Sequence, residues 1–206
     1  MHERGEEATQ ARNVPGSEHY PKLAFSVLTS ATEKSTARAL VEQVHYQGSV
    51  PNGCEFVGCY RITDMGQALI GAAALGPMAY SRPTGRAALA EQFGVAGWQN
   101  LDRPALIREL GLVCGLRFVV AEDYQGLGIG QQLAKAVRTL AHSSLQKSYS
   151  RVEVMRRICP QSGKALIAGD LTDWLVRAGY KPTCLTKKNG HHLLYYWAYT
   201  LPPTGS

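Results

Sequence analysis

Apolar residues along this chain alternate between strand-length runs and helical spacing, and turn-forming residues separate them. Lys22–Leu28 reads as a first strand. Ser30-x-x-Glu33 is a capping box, and Ala37, Leu40, Val41 and Val44 follow it at helical intervals, which predicts a helix ending around His45. Cys54–Ile62 is strand-like, Thr63-Asp64-Met65-Gly66 is a turn, and Ala68–Leu75 is the returning strand. Residues 77–104, interrupted by Pro77, Pro83 and Pro104, show no strand period. They read as a long connection with a short helix near Arg86–Phe93, and so long a connection in a compact domain is often functional. Leu112–Val120 is the next strand and the central one. Gln131–Ala141 is amphipathic through Leu133, Val137, Leu140 and Ala141. Val152–Met155 is a short strand, Ala165–Ala178 a helix, and Tyr180–Thr186 and His192–Thr200 are strands joined across Asn189-Gly190, a strong hairpin signal.

The order β, α, ββ, long loop, β–α, β–α, ββ predicts an α/β (α+β) fold, a mixed central sheet flanked by helices on both faces. At 206 residues, one domain over residues 23–201 is expected, with residues 1–22 a disordered leader and 202–206 a tail. The apolar share of 45% and charged share of 18% fit a soluble globular protein, and no apolar run is long enough to span a membrane. The polar, acidic start Met1-His2-Glu3-Arg4-Gly5-Glu6-Glu7 is no signal peptide. Cys54, Cys59, Cys114, Cys159 and Cys184 are odd in number, scattered and without a C-x-x-C, which argues for reduced thiols in a cytoplasmic setting and against zinc. His191-His192 lacks a third nearby ligand, so no metal is expected. A net charge of +6 attracts anions, and Arg151, Arg156, Arg157, Lys164, Lys181, Lys187 and Lys188 crowd the last third.

One segment carries most of the chemical information. Phe118-Val119-Val120 leads through Ala121-Glu122-Asp123-Tyr124 into Gln125-Gly126-Leu127-Gly128-Ile129-Gly130, and a helical pattern starts at Gln131. Glycines let a backbone approach a ligand and turn its N–H groups towards it, and the helix adds its unpaired donors and positive dipole end. The loop therefore suits a phosphate-bearing cofactor. A dinucleotide fingerprint needs a third glycine where Gln131 stands, and a P-loop needs one at Ile158 before Gly163-Lys164, so both readings fail. Residues 125–130 instead resemble the Q/R-x-x-G-x-G/A signature of the GNAT N-acetyltransferases. That resemblance implies that backbone amides of Gln125 to Gln131 grip the pyrophosphate of acetyl-CoA. It also implies that Phe118, Val119 and Val120 lie beside the pantetheine arm. Over residues 23–200 the element order resembles the same family, although the match is specific only at 117–133.

Two further segments sharpen the resemblance. His45-Tyr46-Gln47-Gly48-Ser49-Val50-Pro51 is similar to an H-Y-x-x-x-x-P element of two GNAT-related groups, the GNAT-like domains that accompany ABC-type ATPases and the phage Mom proteins that modify adenine in DNA. Val152–Met155, Pro160 and Arg177-Ala178-Gly179-Tyr180 resemble the first group's late strand and helix end. One departure stands out. Where the family has an aromatic-Tyr pair whose Tyr protonates the departing thiolate, this chain has Trp174-Leu175, and leucine has no proton to give.

Acyl transfer to an amine needs a base for the amine proton and donors for the thioester oxygen. The resemblance places the oxygen's donor at the backbone of Val119 or Val120. Candidate bases are His45, Glu109 and Glu153, and candidate proton donors to sulfur are Tyr46 and Tyr180. Arg82, Arg86 and Arg103, with Trp98 between them, form a candidate surface for a base or nucleotide. The expected function is acetyl transfer from acetyl-CoA to an amine, with an acceptor on or linked to DNA or RNA suggested by the H-Y-x-x-x-x-P element; a homodimer is compatible with it. A Mom-like DNA adenine-modification enzyme and a catalytically silent CoA- or nucleic-acid-binding module are the alternatives.

Overall fold

In the computed structural model, which describes residues 21–46, 48–76, 83–145, 149–188 and 190–200, the strands form one seven-stranded sheet. They are β1 (Lys22–Val27), β2 (Glu55–Thr63), β3 (Gly66–Gly76), β4 (Leu112–Val120), β5 (Arg151–Arg157), β6 (Lys181–Lys188) and β7 (His191–Tyr199). The helices are α1 (Ala31–Val44), α2 (Pro83–Gln92), α3 (Arg103–Leu110), α4 (Ile129–Ser143), α5 (Pro160–Ile167) and α6 (Trp174–Arg177). The sheet order is β1-β2-β3-β4-β5-β7-β6, and β4 and β5 are its parallel pair, joined by α4. The mixed sheet with helices on both faces is the expected α/β architecture.

Alanines explain how two helices reach the sheet centre. Ala73 of β3 packs into the core under α4, with Leu133, Ala134 and Val137, whereas Ala72 and Ala74 pack on the opposite face under α1, with Ala37 and Val41. Small side chains at consecutive positions of a strand point to opposite faces in turn, so both faces can be covered closely. A third cluster joins Leu89 of α2 and Leu106 and Leu110 of α3 to Leu112, Cys114 and Trp197 of the sheet.

The local signals in the sequence act as expected at several points. Ser30 caps α1 in a capping box with Glu33, and Gly190, at φ +77°, serves the β6–β7 hairpin. The first strand starts at Lys22, one residue inside the expected leader. Two expectations are corrected. The long connection holds α3, begun where Asp102 accepts a hydrogen bond from the Ala105 N–H (2.7 Å) and buried through Leu106 and Leu110. The single helix expected over Ala165–Ala178 is two helices. Gly169 at φ +110° ends the first, Asp170 turns the chain by accepting from the Thr172 N–H (2.9 Å), and Asp173 caps α6 by accepting from the Leu175 N–H (2.8 Å). Leu166 and Leu175 are buried in the same core, so the apolar period survives the break.

Glu153 on β5 is buried opposite Trp197, its Oε1 without a partner, and its side chain hydrogen-bonds with Cys114. Burial pushes its carboxyl up to about 8, so the neutral acid predominates at neutral pH, and the side chain lines neither of the clefts described below. A raised carboxyl makes its full contribution to stability below its unfolded value of 4.5 and loses it as pH rises through about 8. Wild-type stability should therefore fall between those limits by up to about 1.4 kcal/mol per pH unit. Urea unfolding at a series of pH values should show this slope in the wild type and a flatter profile in Glu153→Gln.

Candidate active site

The site begins where two strands part. β4 pairs with β5 only from Leu112 to Gly115 against Arg151 to Val154. Beyond that, β4 stays bound to β3 through Val120, and β5 stays bound to β7 through Arg157. A gap opens between them. Gly115 sits at its apex because a Cβ there would meet the Phe118 ring at 2.5 Å and Val154 at 3.2 Å.

Two adjoining clefts occupy this region. The first, about 580 Å³, runs from Phe118–Val120 past Tyr124 to the loop of Gln125, Gly126 and Gly128 and the first residues of α4, with Trp174 and Arg177 opposite. The second, about 380 Å³, fills the gap itself, between Gly115–Phe118 and Val154–Arg157. His45, Tyr46, Phe118 and Trp174 line both.

The glycine loop is shaped to receive a ligand. Gly126 and Gly128 hold φ of +79° and +74°, a conformation that side chains resist, and added Cβ atoms at Gly126, Gly128 or Gly130 would meet nothing within 4 Å. Gly128 is the N-cap of α4 and supplies no side-chain cap, so the helix's first donors have none of the usual local partners. Gln125 pins the loop by donating to the Val120 carbonyl (3.0 Å), and Gln131 reaches the Arg177 carbonyl (3.2 Å). Leu127 is 40% exposed.

His45 is the C-cap of α1, its N–H donating to the Val41 carbonyl (2.9 Å). The chain then turns, with the Gly48 N–H donating back to the His45 carbonyl (2.8 Å), and this sets Tyr46 over the gap. The His45 and Tyr46 rings lie 4.5 Å apart, and the Arg157 guanidinium lies 5.2 Å from the Tyr46 ring centre. Burial, helped by the positive charge of Arg117, lowers the His45 pKa below its ordinary 6.5. The imidazole is therefore neutral at pH 7 and able to take a proton.

Three other expected site residues, Tyr180, Glu109 and Trp98, line neither cleft. Tyr180 is buried in the main core and its hydroxyl donates to the Ala134 carbonyl (3.2 Å); burial raises its pKa, and it lines neither cleft. Glu109 is exposed near the end of α3, also away from the clefts. Trp98 packs with the α2–α3 cluster. Arg82 lies outside the described residues, and of Arg103 only the backbone, at the start of α3, is described. Leu175, where the resemblance led one to expect a tyrosine, is fully buried against the second cleft. Residues that sequence reasoning did not place there are Tyr124, whose hydroxyl accepts from Arg61 (3.0 Å), and Arg117, Arg156 and Arg157. Arg156 and Arg157 had shown themselves only as members of a basic cluster, and Tyr124 only by its place beside the glycine loop.

No family model and no curated protein matches the sequence. Solved structures that share its overall path include a Bacillus subtilis acetyltransferase in complex with CoA, at 12% identity and TM-score 0.47, covering 87% of this chain and 100% of that one. Another is Arabidopsis thaliana NAA60 in complex with a bisubstrate analogue, at 14% identity and TM-score 0.46, covering 86% and 99%. A third is nourseothricin acetyltransferase, at 12% identity and TM-score 0.42, covering 87% and 99%. At these identities and scores the likeness transfers no residue role and no substrate.

Tyr180→Phe should lower stability by about 1 kcal/mol in thermal or urea unfolding, the usual net worth of one buried hydrogen bond, while leaving ligand affinity at the clefts unchanged. Loss of affinity without loss of stability would return Tyr180 to the site.

Proposed function

We propose that this chain is a GNAT-type acyltransferase that moves an acetyl group from acetyl-CoA to an amine. The observation that carries the proposal is the continuity of the two clefts. A glycine loop at a helix N-terminus suited to phosphates opens directly onto a gap between two parallel strands, where an extended arm can lie beside Phe118–Val120. The open space over Gly126, Gly128 and Gly130 fits the group, since side chains there would fill it. When bound, acetyl-CoA supplies an acyl carbon open to attack.

The chain's own groups can then be given roles. The Ala121 N–H donates to the Ile70 carbonyl across to β3, so strand alternation turns the Val120 N–H to the opposite edge, where β5 has departed. That N–H is the donor for the acyl oxygen as its charge grows. His45 accepts the proton that the amine loses as the N–C bond forms. The Tyr46 hydroxyl gives a proton to sulfur as the C–S bond breaks, in place of the absent tyrosine at Leu175. An acceptor on or linked to nucleic acid is the narrower form of the proposal; its support is the H-Y-x-x-x-x-P resemblance and the basic charge balance. The buried Leu175 favours one second reading, a module that binds CoA without turnover.

Calorimetric titration with acetyl-CoA, CoA and NAD separately tests the cofactor. Acetyl-CoA and CoA should bind and NAD should not. Gly128→Glu should abolish binding, because it sets a charged side chain, at a φ of +74°, against the phosphates. Retained affinity would overturn the assignment.

His45→Ala should reduce turnover about 100-fold with little change in CoA affinity. In the wild type, kcat/KM should fall on acidification with a midpoint below 6.5, as protonation of a depressed imidazole requires. CoA binding with no thiol release for any amine would favour the silent module.

A further inference from the structure

The second cleft carries more positive charge than the described carboxylates around it balance. Three arginines line it, Arg117 from β4 and Arg156 and Arg157 from β5, and among the described residues its lining includes no aspartate or glutamate. Arg156 is ion-paired to Asp173 beside the cleft. Arg117 donates to the Ser49 carbonyl (3.2 Å) and the Leu116 carbonyl (2.7 Å), so its guanidinium is held in place, and among the described residues no carboxylate is ion-paired to it. Arg157 is exposed and stacked over Tyr46, likewise with no carboxylate partner among the described residues. The phosphates of the cofactor do not account for these cations. They belong at Gly126–Gly130, whose cleft has Arg177 as its basic side chain, whereas Arg156 and Arg157 stand on the other side of the gap, on β5.

We propose that the amine acceptor carries an anionic group, a carboxylate or a phosphate, close to its amine, and that Arg157, together with Arg117, receives it. The inference rests on the acyl-transfer reading above and names the substrate class of the same site. A purely cationic amine entering this gap would meet like charge on both walls, at a cost that a partly desolvated cleft magnifies. An acceptor with its own anion reverses that sign. The anion finds guanidinium donors in a geometry suited to carboxylate or phosphate oxygens. The same cations lower the pKa of the neighbouring ammonium, so more of the amine is present in the neutral form that attacks. His45, kept neutral partly by Arg117, then faces a nucleophile that needs little help to lose its proton.

The test is a panel of matched acceptors with acetyl-CoA, read as thiol release. Tyrosine against tyramine and leucine against isoamylamine form the carboxylate arm; phosphoethanolamine against ethanolamine forms the phosphate arm. In the wild type the anionic member of one arm should be favoured by about 10-fold or more in kcat/KM, the effect of one charge-assisted contact. Arg157→Glu should abolish that ratio or invert it, with acetyl-CoA affinity by calorimetry held within about 2-fold, since the exposed side chain lies off the glycine loop. The arm that responds identifies the anion. Equal or better use of tyramine, isoamylamine and ethanolamine would overturn the proposal, as would an anionic preference that survives Arg157→Glu. If acetyl-CoA binds and no panel member is acetylated, the acceptor assignment falls while the cofactor assignment stands. If acetyl-CoA does not bind, both fall.

Discussion

Strands β4 and β5 pair for four residues each and then separate, and every part of the candidate site hangs on that separation. A parallel pair that stops early exposes backbone donors and acceptors along both inner edges, which is costly unless something else fixes the strands or satisfies the groups. Here the fixing is done from outside. β3 holds β4 through Val120, and β7 holds β5 along its whole length, so neither strand can follow the other. Gly115 at the apex admits the Phe118 ring where a side chain would collide with it. The gap is thus the consequence of a sheet that is complete on both sides of it.

The gap also organises the charges. At one end, the glycine loop and the start of α4 present backbone donors with Arg177 near them; at the other, Arg117, Arg156 and Arg157 supply side-chain cations. His45 lies between, half-buried and beside this positive field, which keeps its ring uncharged when a free histidine would be partly protonated. Glu153, one residue from the last paired position of β5, is turned away from the cleft into a dry cluster with Cys114 and Trp197, where it is held as the neutral acid. Adjacent residues on one strand face opposite sides of the sheet. The same strand therefore carries a buried carboxyl on one face and an open cleft beside the other.

The order of the strands, the sheet class, the capping box of α1, the β6–β7 hairpin and the glycine loop were legible in the sequence, because each depends on residues close together in the chain: a 3.6 or 2.0 period, a side chain bonding its neighbour's backbone, or glycines at positions of positive φ. His45 and Tyr46 were legible only as a motif, and Glu109, Glu153 and Tyr180 were equally plausible on chemistry alone. Those choices belong to tertiary structure. Which tyrosine keeps an accessible hydroxyl, which carboxyl is dehydrated, and which arginines meet across a gap depend on segments more than a hundred residues apart being brought together. Arg157 reaches Tyr46 only because β4 and β5 part where they do. The sequence by itself determined the local elements and the phosphate-suited loop, since those follow from short-range backbone physics. The fold alone decided burial and charge environment, and with them which of the candidate side chains can do chemistry.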